Sequence, residues 1–290
     1  VFTPFKKRAS KIAIAKPVSN DFQNFYKDPI SVENPQLLDL LMPKTESVPL
    51  LQGGRNEGLK LLAQVGTMDN YNEVRNIPAL NATSLLSAHH KFGTISVRET
   101  YERAQNLDES NAFVSELYWR DFFTHIAFHF PHVFGNSFRE KYNDLNWRQN
   151  DAAFQRWCTG TTGFPIVDAG MRQLVQTGFM HNRVRMIVAS FLTKDLHLDW
   201  RLGERFFANH LLDYDPAVNN GNWQWSASTG CDAQPYFRIF NPWSQQQKFD
   251  PQCRYIKQWV PELGALSPET IHNLWKRFPP GLTYPRPMLE

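Results

Sequence analysis

The sequence predicts an all-α fold. Three observations carry that reading. Apolar residues recur at three- and four-residue spacing through most of the chain after Gly53. Side-chain caps stand at the starts of several of those periodic stretches. No segment alternates apolar and polar residues as a half-buried strand would, and no internal repeat appears.

Residues 1–52 are rich in Pro, Asn, Asp and Lys and show little periodicity. They read as an extended linker or arm with at most short helical turns, leaving 53–290 as the helical domain. GRNEGLKLLAQV carries apolar residues at helical spacing. NATSLLSAHHKFG starts a helix near Thr83, Ser84 and Ser87 and stops it at Gly93. Ser96 and Glu99 form a capping box. Residues 109–130 form a long aromatic helix. Asn150 caps DAAFQRWCTG, which ends at Gly160. IVDAGMRQLVQTG and HNRVRMIVASFLTKDL follow across a short turn. Asp250-Pro251 and Ser267-Pro268 each read as an N-cap followed by proline at the first helical position. Residues 219–230, NNGNWQWSASTG, read as a loop: small polar residues punctuate it, and Trp223 and Trp225 sit in an extended run facing opposite sides.

The chain has 290 residues, 42% of them hydrophobic and 14% aromatic, enough for one large core. Lys and Arg number 31 against 28 acids, so any basic surface is local and balanced elsewhere. Three cysteines, Cys158, Cys231 and Cys253, have neither metal spacing nor an even framework, which suggests free thiols in a reducing compartment. No metal site is expected. No apolar run approaches the roughly 18 residues of a membrane span. The N-terminus lacks a secretory signal and an initiator Met, as a fragment or processed product would. A cytoplasmic location (nuclear in a eukaryote) and a monomer are expected.

Several constellations point to chemistry. In SELYWRDFF, Glu116, Trp119, Arg120 and Phe123 share one helix face. An amphipathic helix with a surface ion pair explains the pattern as well as a lined site does. In MHNRVRMI, Asn182, Arg185 and Met186 share a face, and Arg183 points elsewhere. Either Arg185 snorkels past apolar neighbours, or the face lines a cavity. Asp213 and Asp215 precede a proline; acid–base work is conceivable, a capped turn is simpler, and Arg185 is a candidate partner for Asp213. Thr83, Ser84 and Ser87 offer hydroxyls near a helix start, as an anion site or as plain caps.

Together these segments resemble the photolyase/cryptochrome family, from about Tyr71 to Trp259. The carriers are MHN-RVRMI, FLTKDLHLDWRLGERFF and NNGNWQWSASTGCDAQPYFRIFNP. VFTPF resembles the link that follows the family's N-terminal α/β domain; a second, antenna chromophore is expected only in that domain. The resemblance implies a large helical FAD-binding domain preceded by an irregular interdomain linker, with FAD held in a folded shape. Tyr71 and Thr83, Ser84, Leu85, Leu86 and Ser87 match the segment at the FAD phosphates; Leu85 stands where some relatives have Arg. Asp213, Asp215 and Arg185 match groups beside the flavin and ribityl chain, and Asn219 matches the residue facing flavin N5. Glu116, Trp119, Asn182, Met186 and Trp225 match a pocket for a flipped-out pyrimidine dimer. Arg120 lies on the same helix face. Arg75, Arg183, Arg238 and Gln245 match positions near the DNA backbone. Trp223, Trp200 and Trp147 match an electron relay to the surface.

What this implies is a carbon–carbon lyase: photoexcited reduced FAD drives splitting of cyclobutane pyrimidine dimers in UV-damaged DNA. Glu116, rather than Gln, and a single histidine in His181-Asn182-Arg183 resemble the cyclobutane-dimer enzymes rather than the six-four photolyases. A cryptochrome-type blue-light receptor is the alternative with the same flavin. A flavin-free helical DNA-binding module is the alternative from a different class.

Overall fold

The computed structural model describes residues 1–18, 50–105, 107, 112–233, 235 and 238–289. Most of the expected 1–52 arm lies outside them, as do residues 109–111 of the expected aromatic helix and Gln234, Tyr236 and Phe237 of the motif after Trp225. Among the described residues there are helices and turns but no strand, as the periodicity predicts.

The helices run in the order α1 (Phe2–Ala9), α2 (Arg55–Val65), α3 (Tyr71–Val74), α4 (Ser87–Phe92), α5 (Val97–Ala104), α6 (Phe113–His129), α7 (Asp151–Cys158), α8 (Pro165–Thr177), α9 (Asn182–Ser190), α10 (Trp200–His210), α11 (Pro216–Ala227), α12 (Pro242–Phe249), α13 (Arg254–Trp259) and α14 (Pro268–His272). Local chemistry sets many boundaries. The Ser96 hydroxyl accepts from Glu99 N, and the Glu99 carboxylate accepts from Ser96 N, completing the box. Asn150 accepts from Ala153 N, and Ser267 accepts from Thr270 N. Gly93 closes α4 in the left-handed region at φ +68°.

The core surrounds α8, whose face is buried against α9, α12 and α13. Its Asp168 is fully buried and binds the preceding loop and the C-terminal segment together. It accepts from Thr162 N (2.8 Å), Thr162 Oγ1 (2.6 Å), Gly163 N (2.9 Å) and the Tyr284 hydroxyl. A buried carboxylate without such donors would be costly. α11 packs on α6, α9 and α10, so it is the spine of the site half.

Three sequence expectations change. The segment read as an extended loop is the helix α11: Asp215 caps it, Pro216 supplies its first position, and packing overrides the turn-forming composition. Trp223 and Trp225 still face apart, because two residues span about 200° of a 3.6-residue turn. Asp250-Pro251 does not open a helix. Asp250 instead ends α12 and caps α13 at a distance, accepting from Tyr255 N (3.2 Å) and Ile256 N (2.9 Å). The start of the arm is not irregular: α1 lies along α6, where Phe2 and Phe5 join Tyr118 and Phe122 in an apolar cluster.

α11 and α6 approach at Gly221, where an added Cβ would sit 2.0 Å from the Phe123 ring. Gly221→Ala is expected to force that ring aside and lower stability by about 1–3 kcal/mol, the usual overpacking cost. The urea midpoint of the variant measures it.

Candidate functional site

α3 and α4 present the first group of candidates. Tyr71 opens α3 and is buried, with its ring edge-on to Phe113 at 5.4 Å. Burial pushes its phenol up to about 12. Thr83 and Ser84 are half-buried in the run entering α4, Leu85 takes a left-handed φ of +54°, and Leu86 is buried. Ser84 Oγ accepts from Leu86 N at 3.4 Å, and Ser87 is exposed at the first position of α4.

The acids lie across the site at the α10–α11 junction. Arg185 on α9 donates Nη2 to Asp213 Oδ2 (2.9 Å) and Nε to Met180 O (2.7 Å). Two anchors fix the guanidinium, and it neutralises Asp213. The other oxygen, Asp213 Oδ1, is buried with no partner in the protein. A buried acceptor of this kind calls for a donor. The ring N–H and ribityl hydroxyls of FAD are donors of that class, so the residues present fit the cofactor. Asp215 has a second duty as the cap of α11, accepting from Ala217 N (3.0 Å) and Val218 N (3.1 Å). Asn219 is buried, its amide donating to Glu204 O (3.0 Å) and Oε1 (3.2 Å).

The second group gathers on α6 and α9. Glu116 Oε1 pairs with Arg75 Nη2 at 2.7 Å. Burial raises the Glu116 carboxyl above its usual range, opposed by Arg75 and Lys6. Trp119 stands one turn further along α6. The Phe2 ring lies flat on its indole, 3.6 Å between centroids at 4°, and Phe123 stacks at 5.5 Å. Arg120 is half-buried, 3.7 Å from Asp121. Asn182 is exposed at the first position of α9, with Nδ2 4.0 Å from Met186 Sδ. Trp225 is half-buried and near-parallel to Phe240 at 6.4 Å.

The candidate DNA contacts are dispersed. Arg183 donates to Asn76 Oδ1 through Nε (3.1 Å) and Nη2 (2.7 Å) and sits 4.4 Å from the Phe249 ring centroid. Arg238 is exposed, 5.7 Å from the Phe240 ring centroid. Gln245 on α12 keeps Oε1 buried and unpartnered.

Trp223 and Trp200 are buried in one core cluster, with half-buried Trp147 packed against it. α10 closes on Trp223 at Gly203, where an added Cβ would sit 2.2 Å from the indole. Trp223 meets Trp157 at 6.2 Å and Phe207 at 5.0 Å.

Sequence reasoning missed five participants. Trp157, Phe2, Asn76 and Glu204 reach the site only through long-range packing, which leaves no local signal. His181 could have been found, since it stands directly before α9: its Nδ1 accepts from Arg183 N (3.1 Å), capping the helix. Burial lowers its imidazole to about 4, so the ring is neutral and its proton is on Nε2. A cleft of about 610 Å³ opens elsewhere, lined by Phe5, Arg8, Tyr118, Asp121 and His125, and none of the cofactor candidates lines it.

Residues 113–290 match the family model for the FAD binding domain of DNA photolyase. The chain is 51% identical over 216 residues to the deoxyribodipyrimidine photo-lyase of Vibrio cholerae, covering 72% of this chain and 46% of that one. The Salmonella typhimurium protein of the same name is 41% identical, covering 100% of this chain and 64% of its own. The chain thus spans about half to two thirds of these relatives' length. Among solved structures it is similar to the archaeal photolyase from Sulfolobus tokodaii with two FAD molecules (TM-score 0.87, 47% identity, 100% of this chain, 64% of that chain). It is also similar to the Synechocystis cryptochrome (TM-score 0.76, 37% identity, 84% of this chain, 55% of that chain). By sequence and by fold, the chain belongs to the DNA photolyase family and carries its FAD-binding domain.

Proposed function

We propose that this chain carries out the chemical step of a deoxyribodipyrimidine photo-lyase, light-driven splitting of cyclobutane pyrimidine dimers in DNA. The observation that carries the reading is Glu116: an acid raised by burial, ion-paired to Arg75, one helical turn from Trp119. That is a site for an uncharged, hydrogen-bonding lesion. On this reading Tyr71, the Thr83–Ser87 run, Arg185, Asp213, Asp215 and Asn219 hold FAD. Bound there in its reduced form, FAD would supply the light-driven electron chemistry for opening the cyclobutane ring. No net redox change results.

The remaining roles fall to the chain's own groups. Flipping a dimer out of the duplex costs a few kcal/mol, less for a poorly stacked base. Stacking on Trp225, and on Trp119 once the Phe2 ring that covers it gives way, returns about 1–3 kcal/mol per base. Glu116 and Asn182 hydrogen-bond the lesion and fix its orientation. Arg75, Arg183, Arg238 and Gln245 meet the DNA backbone, so binding weakens with salt. The protein acts as a monomer on UV-damaged DNA in the compartment that holds it. Among the described residues no helix is long and apolar enough to cross a membrane. The likeness to a cryptochrome supports a second reading, a blue-light receptor with the same flavin.

Four tests bear on this. Light-dependent restoration of thymines in a dimer-containing oligonucleotide, absent in the dark, is the expected result; flavin without restoration sinks the repair reading in favour of the receptor. In the same assay Glu116→Ala lowers the splitting yield roughly tenfold, the worth of one hydrogen bond to a charged group, and weakens DNA binding less. Trp223→Phe abolishes photoreduction of oxidised FAD but spares repair by pre-reduced protein; unchanged photoreduction removes Trp223 from the relay. Finally, Arg75→Gln raises the Glu116 carboxyl further, because burial remains and the opposing cation is gone. A carbon-13 titration of that carboxyl reads the shift directly.

A further inference from the structure

The chain between α9 and α10 is unusual. Phe191–Asp195 winds as a wider π-type turn, a feature that often marks functional positions. Two residues later His197 takes a left-handed φ of +57°, a region that non-glycine residues seldom occupy. That conformation turns its imidazole against Trp147, 5.3 Å between ring centroids at 49°. The contact is held from the backbone as well, because Arg148 N donates to His197 O at 2.9 Å. Both rings are half-buried, so solvent protons reach them. Trp147 Nε1 is buried without a hydrogen-bond partner, which leaves the imidazole as a neighbour able to act on the indole through the ring contact.

We propose that His197 is a positioning and tuning residue for Trp147, setting how readily that indole gives up an electron according to the charge on the imidazole. The proposal rests on the relay reading of Trp223, Trp200 and Trp147. One electron leaves Trp147, and one arrives, through Trp200 and Trp223, at light-excited oxidised FAD; no bond forms or breaks. A neutral imidazole tolerates the positive charge left on the indole. An imidazolium in ring contact repels it, since two like charges at this separation interact strongly where water is partly excluded. The charge on the imidazole therefore sets how readily the relay's outer end is oxidised.

Other charges meet at this place. Lys194 and Asp195 lie on the same turn, with Lys194 Nζ 2.7 Å from Ser228 Oγ. Asp144 lies three residues before Trp147 in the chain and Arg148 directly after it. The Asp199–Arg201 pair (3.2 Å) stands at the start of α10, its guanidinium 5.0 Å from the Trp200 ring centroid. Asp195 is the serious competitor, because burial raises its carboxyl to about 7.

The test is the pH profile of FAD photoreduction and of the tryptophan radical seen by transient absorption. The variants are His197→Asn, which tolerates the left-handed backbone without titrating, and Asp195→Asn. In the unsubstituted protein the yield falls several-fold as the pH is lowered. His197→Asn flattens the profile, and Asp195→Asn keeps it. A profile that survives in His197→Asn, or vanishes in Asp195→Asn instead, overturns the proposal. Trp147→Phe separates the layers: photoreduction persisting in it overturns the relay reading and this proposal with it. A cofactor-independent readout is indole emission, which a neighbouring imidazolium quenches. The part of the emission lost in Trp147→Phe titrates with pH, and does so no longer in His197→Asn; no difference between the two overturns the contact itself.

Discussion

The close approach of helix backbones around α11 is the constraint on which the site depends. A helix with two indoles two positions apart must be packed on both sides, and indoles fill the space a neighbouring helix would take. Glycines resolve the conflict. Gly203 lets α10 lie against the Trp223 ring, and Gly221 lets α11 lie against Phe123 of α6. A methyl group at either place would collide with an aromatic ring. With those contacts made, Asp215 at the start of α11 and Asn219 one turn later are held in register with Asp213 and Arg185.

Electrostatics then divides the site into two regions. On the acid side, Arg185 satisfies one oxygen of Asp213 and leaves the other bare. On the α6 side, burial and Arg75 act on Glu116 in opposite senses, so its protonation depends on where Arg75 is engaged. Between them His181 is kept neutral by burial, next to Arg185, Arg183 and Arg75. Adding another cation there would be unfavourable, and neutrality fixes the ring as a cap acceptor for α9.

Much of this was legible in the sequence, and the reasons are local. Caps such as Ser96 and Asn150 and the stop at Gly93 act over three or four residues, so their signals survive in a single stretch. The Arg185–Asp213 pair was legible because an arginine on an apolar face needs an acidic partner. α11 was not, since Asn, Gly and Ser favour loops until Trp223 is buried by other helices. The Arg75–Glu116 pair and the Phe2–Trp119 stack join residues 41 and 117 positions apart, beyond any local pattern. The site residues were named by family likeness; their contacts came from packing.

The Phe2–Trp119 stack has a mechanical consequence. α1 is a lever about 12 Å long, with one ring inserted at its tip and Lys6 tethered to Ser115 Oγ at 2.6 Å. The tip is latched by Phe2 N on Asp232 Oδ2 (3.2 Å). A displacement of α1 by a few ångströms strips one face of the Trp119 indole and releases both latches together. Strain applied at the N-terminal helix is thereby transmitted to an aromatic platform on α6, and anything that loads that face pushes back along the same lever.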